Sequence, residues 1–74
     1  MRITAEYPHP HYKVTLFHWN HKFIIKIEDG PFEQTYKLAE SEITQAEIPE
    51  FLSPEFYLKV DQIFLDMSKA KATW

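Results

Sequence analysis

The sequence has no cysteine, a single glycine and no run of about 18 apolar residues. Without cysteine there are no disulfides and no thiolate zinc sites. With Gly30 as the only glycine there is no phosphate-cradling loop and no G-x-S-x-G elbow, and H-E-x-x-H is missing as well. No apolar stretch has signal-peptide or membrane-span length, so the expectation is a soluble, cytoplasmic protein with no membrane association. The 74 residues make one domain, which buries only roughly 60% of the surface its unfolded chain exposes. A core of that size supplies about 3–5 kcal/mol. Dense aromatic packing, a histidine-bound metal or self-association must add to it, and an aromatic content of 16% favours the first.

What is present is a β-meander. Residues 12–19 and 22–28 are rich in β-branched and aromatic side chains, with apolar ones recurring at every second position. Asn20-His21 between them reads as a two-residue turn, because Asn tolerates left-handed backbone. Asp29-Gly30 is a stronger signal of the same kind, and residues 32–38 form a third strand with Pro31 at its first position. Such turns would pair Phe17 with Ile24, Leu16 with Ile25, Val14 with Ile27 and Lys13 with Glu28. The second turn would pair Ile27 with Phe32, Lys26 with Glu33, Phe23 with Tyr36 and, as the one mismatch, Lys22 with Lys37. One face then carries Tyr12, Val14, Leu16, Phe23, Ile25, Ile27, Phe32, Tyr36 and Leu38. The other is mixed, with Phe17, Trp19 and Ile24 among Lys13, Lys22, Lys26 and Lys37.

On either side of residues 12–38 the pattern is weaker. Residues 1–7 alternate, with Ile3, Ala5 and Tyr7 on one side, and read either as a short fourth strand or as a frayed arm. Pro8-His9-Pro10 makes the rest of an arm over 1–10 extended or kinked. Residues 39–53 form an acidic connector, where Thr44-Gln45-Ala46-Glu47 resembles a capping box. Ile48, Phe51 and Leu52 should tuck under the core edge. Glu40, Glu42, Glu47, Glu50 and Glu55 meet no base, giving –5 over residues 39–55 in a chain of net –3. Ser53-Pro54-Glu55 starts a helix over 54–72. Phe56, Val60, Ile63, Phe64 and Met67 form its apolar stripe. At roughly 27 Å it matches the strands in length and can cover one sheet face. The expected fold is α+β: a three-stranded antiparallel meander, with a short fourth N-terminal strand as the open question, packed on one face by a C-terminal helix.

Four histidines invite a metal reading, but His9/His11 and His18/His21 lie too far apart to share an ion, and each pair falls short of a zinc ligand set. No metal or cofactor is expected. The acidic side chains read as solvated charge, and no catalytic residues are assigned. The sharper candidate is the second sheet face, where Phe17, Trp19 and Ile24 are apolar and Lys22 and Lys26 stand beside them. Such a patch suits a protein interface centred on an aromatic anchor. It also suits weak binding of single-stranded nucleic acid, although Glu28 and Glu33 share the face. A third reading has residues 1–7 or the connector fold over it. Leu58 and Leu65, with Ala72, lie opposite the helix stripe at seven-residue spacing. Scattered exposed leucines are ordinary, but the pair can also anchor a helix-to-helix contact between copies. Together these features lead us to expect a non-enzymatic association module whose partner is a protein, first of all another copy of the chain.

Overall fold

A computed structural model describes residues 2–72; Met1, part of the expected N-terminal arm, lies outside the described residues. The chain forms strands β1 (Arg2–Tyr7), β2 (Lys13–Trp19), β3 (Lys22–Asp29) and β4 (Phe32–Ala39). A 3-10 turn over Gln45–Glu47, a short helix α1 (Ile48–Phe51) and a long helix α2 (Pro54–Ala72) follow. The sheet is an antiparallel meander in the order β1-β2-β3-β4, with the helices on one face. The fold is therefore α+β, and residues 2–7 do form the fourth strand.

The first turn is as the sequence implies. Asn20 and His21 have φ of 53° and 61°, the left-handed pair that matches the twist of the flanking strands. Trp19 pairs with Lys22, Phe17 with Ile24, Leu16 with Ile25 and Lys13 with Glu28. The second turn is shifted. Asp29 pairs with Phe32, so the loop is Gly30-Pro31, with Gly30 at φ 58°. A loop at Asp29-Gly30 would need a backbone N–H from Pro31 to close its pair with Glu28, and proline has none. Glycine followed by proline instead suits a type II′ turn.

Moving the turn by one residue moves the pairing by two, so no side chain changes face. Partners do change. Ile27 faces Gln34 and Ile25 faces Tyr36, while Lys22 faces Ala39 instead of Lys37. Glu28 now faces Glu33, a like-charge pair. Lys26 relieves it, with its Nζ 3.3 Å from Glu33 and 3.9 Å from Glu28.

On β1 the regular alternation fails. The register shifts between Ile3 and Ala5, where Thr4 is an extra residue whose hydroxyl donates to the Leu16 carbonyl at 3.3 Å. Ala5 and Tyr7 face the core, but Ile3 pairs with Phe17 on the opposite face.

Val14, Leu16, Phe23, Ile25 and Ile27 are buried against Ile48, Val60 and Phe64. Thr44 and Glu47 close the box expected before α1, the Thr44 N–H donating to Glu47 Oε1 at 3.1 Å. Ile48 is fully buried, with Phe51 and Leu52 packed beside it. Ser53 caps α2, its Oγ accepting from the Phe56 N–H at 3.2 Å. The helix stripe is rotated from the expected one. Ile63 is 39% exposed, whereas Tyr57 packs against the core. The Tyr57 ring lies over His9 and Tyr12, which pull that side of the helix down onto the connection between β1 and β2.

Two polar straps tie α2 to the sheet. The Tyr12 hydroxyl donates to Asp61, and burial, then this carboxylate, push its pKa up to about 12. Buried Gln34 accepts from the Tyr36 hydroxyl and donates Nε2–H to the Val60 carbonyl at 3.1 Å. Replacing Gln34 with Leu strands the Tyr36 hydroxyl in a partly buried site, at an expected cost of about 1–3 kcal/mol. A lower urea midpoint with an unchanged slope is the expected result; an unchanged midpoint would show that the strap contributes nothing.

Candidate functional site

The face of the sheet away from the helices carries every expected interface residue on β2 and β3. Phe17, Trp19, Lys22, Ile24 and Lys26 all lie on it, with Ile3 added by the β1 bulge. No described element folds across this face. Strand β1 extends the sheet at its edge and the acidic connector runs on the helix side, so the reading in which either covers the patch is not what forms.

The apolar patch differs from the expected one in shape. Ile24 is only 5% exposed and offers almost nothing to a partner. It sits mid-sheet between Phe17 and Lys37 on the neighbouring strands, whose stems screen it. Thr15, on the same face, is 3% exposed. What remains open is an edge-ward strip: Ile3 at 60%, half-buried Phe17 and Trp19 at 54%. Sequence alternation alone does not find Ile3, because the bulge that turns it has no motif.

The cations divide into two kinds. Lys26 is held between Glu28 and Glu33. Lys13, Lys22 and Lys37 are exposed and make no ion pair among the described residues. On α2, Leu58 and Leu65 project away from the sheet at 69% and 49% exposure, on the side opposite Val60 and Phe64. The sheet and helix candidates thus lie on opposite sides of the molecule.

The histidines have structural partners. His9 stacks on Tyr12 at 4.8 Å and packs on Tyr57 at 4.3 Å, while its Nδ1 accepts from the His11 N–H. His18 Nε2 lies 2.6 Å from Glu40 Oε2, and His21 Nδ1 lies 2.9 Å from Glu40 Oε1. One carboxylate thus joins the ends of β2 and β4 across the first turn. The sequence does hold this cluster, since the β3–β4 ladder carried one step past the strand puts Glu40 beside His21, where the Glu40 N–H donates to the His21 carbonyl. Among the described residues no three His, Asp or Glu side chains are grouped to hold a metal ion. A groove of about 480 Å³ lined by Tyr7, Pro8, His9 and Tyr12 is open to solvent and sequesters nothing.

No family model matches the sequence, and comparison with curated proteins and with solved structures finds no match. No helix among the described residues is long and apolar enough to cross a membrane.

The hydrogen bonds from His18 and then His21 hold the Glu40 carboxyl below its ordinary value of 4.5, with partial desolvation opposing them. Between the folded value and 4.5 the unfolded chain therefore binds more protons than the folded one. The contribution is fully present above the ordinary value and disappears as pH falls through the folded one. The urea midpoints of the wild type and Glu40→Gln should differ at mildly acidic pH and converge in stronger acid. A gap that does not change with pH would show that the ionised carboxylate has no part in it.

Proposed function

We propose that the protein is a non-enzymatic association module that assembles with its own copies and presents its uncovered sheet face to a protein partner. The observation that carries this reading is the strip of Ile3, Phe17 and Trp19, left open on a face that no described element covers. An exposed tryptophan is among the side chains that most often anchor a protein interface. Lys22, paired with Trp19, and Lys37 and Lys13 further along the same face favour a partner surface with an apolar socket and a carboxylate rim.

The molecule's dimensions support association. Its accessible surface is 5391 Å² at 8.9 kDa, against about 4,800 Å² for a typical monomer of that mass. Its radius of gyration is 13.1 Å, against about 11 Å for a compact domain of this length. An elongated chain with spare surface gains more than most from a partner subunit. The same reading keeps the protein in the cytoplasm, without cofactor or metal, and gives Leu58 and Leu65 a secondary role as a helix contact.

Nucleic acid has weaker support. The central cation of the face, Lys26, is already held by two carboxylates, and Glu6 joins Glu28 and Glu33 on the same side. Salt-sensitive binding of a single-stranded oligonucleotide at low ionic strength would favour it over a protein partner.

Peptides selected from a random display library on the wild type should combine aromatic or aliphatic residues with Asp and Glu. Trp19→Ala should weaken them about 30-fold or more, the loss of one hot-spot anchor. Selection of peptides indifferent to Trp19, or of none, would contradict the sheet-face assignment.

A further inference from the structure

Both edges of the sheet end in strands, but only one is blunted. On β1 the Thr4 bulge interrupts the edge and Pro8 follows it directly. Strand β4 pairs without a break from Phe32 to Ala39, and its only neighbouring proline lies in the turn. The two-residue loop at Gly30-Pro31 makes Asp29–Phe32 a hydrogen-bonded pair, so Phe32, Gln34, Tyr36 and Leu38 direct their backbone groups to β3. The bond from the Glu40 N–H to the His21 carbonyl continues the same alternation. The N–H and C=O groups of Glu33, Thr35 and Lys37 therefore point outwards. No backbone hydrogen bond from another described element reaches them.

We propose that this edge is where two copies of the chain meet, through antiparallel pairing of β4 with β4 about a two-fold axis at Thr35. The sequence of the edge is self-complementary about that point. Thr35 would face its own equivalent, Glu33 would face Lys37 of the second copy, and Lys37 would face the second copy's Glu33. All three are exposed, all three lie on the same sheet face, and each pair would close two backbone bonds. Glu33 contacts Lys26 through one carboxylate oxygen, Oε2, which leaves the other for the second copy.

The helix flank fits the same axis. Helix α2 runs antiparallel to β4, with Phe56 on Tyr36 and the Val60 carbonyl on Gln34. Tyr57 and Asp61 turn towards Tyr12, just before β2, so at about 100° per residue Lys59 and Ile63 turn towards the β4 edge. The two-fold would bring the Lys59–Ile63 turns of two antiparallel helices to either side of the axis. This places exposed Ile63, which the core leaves out, on the flank of the helix that borders the seam. The result is a continuous eight-stranded sheet, twice the four of one copy, with both Trp19 strips free on the face opposite the helices. This inference rests on the self-association half of the reading above and names its surface.

Thr35→Pro tests it cleanly. The Thr35 N–H faces away from β3, so proline there removes an intermolecular donor and leaves the ladder within the chain intact. In sedimentation equilibrium the wild type should dimerise, and Thr35→Pro should raise the dissociation constant about 10-fold or more with an unchanged far-UV circular dichroism spectrum. E33K and K37E, each of which creates two like-charge contacts by symmetry, should weaken the dimer about 5-fold, and the E33K/K37E double variant should restore it. A dimer indifferent to Thr35→Pro, or a double variant that restores nothing, overturns the β4 axis alone. A wild type that stays monomeric at every concentration overturns the axis and self-association together. Trp19→Ala should leave the dimer unchanged.

Discussion

Three residues in left-handed backbone, Asn20, His21 and Gly30, close the two turns that align β2, β3 and β4. Because side chains alternate along a strand, that alignment decides which half of them meets the helices. Leu16, Ile25 and Ile27 fall on one side with no exposed surface. Phe17 and Trp19 fall on the other. One long helix is enough to cover one face of a four-stranded sheet and cannot cover two. The open face thus follows from the turns and the helix count together.

The first hairpin is legible in the sequence residue by residue, since Asn-His has only one sensible two-residue loop to make. The second is ambiguous on turn propensity alone, because Asp-Gly and Gly-Pro each suit a hairpin. The missing donor of Pro31 settles it, and that fact is in the sequence for a reader who asks where each backbone N–H goes. Face assignment survives the difference because the shift is an even one. The Thr4 bulge is another matter: an extra residue leaves no mark on an alternating pattern, so Ile3 changes sides unannounced. In α2 the spacing identifies a stripe but not which flank is pressed down. Tyr57 wins over Ile63 because Tyr12 and His9 lie beneath it, a contact across 45 residues or more of chain.

The candidate surface was legible in outline. Phe17 and Trp19 lie where alternation puts them, but Ile24 is already screened by its neighbours and the open strip moves towards β1. The β4 edge escapes a search for apolar patches altogether, since its claim rests on unpaired backbone and on the order Glu33, Thr35, Lys37. Edge pairing and face binding draw on different atoms of the same strands. A small chain can therefore use one to assemble and the other to bind.

The division of β2 into a buried and an open side is tested most directly by two adjacent substitutions. Leu16→Asn places a polar amide in the fully buried centre of the core and should abolish cooperative unfolding, or lower stability by about 4 kcal/mol or more. Phe17→Asn, one residue along, should cost about 1–2 kcal/mol and leave a cooperative transition in urea. Equal losses at the two positions, or a larger loss at Phe17, would contradict the account.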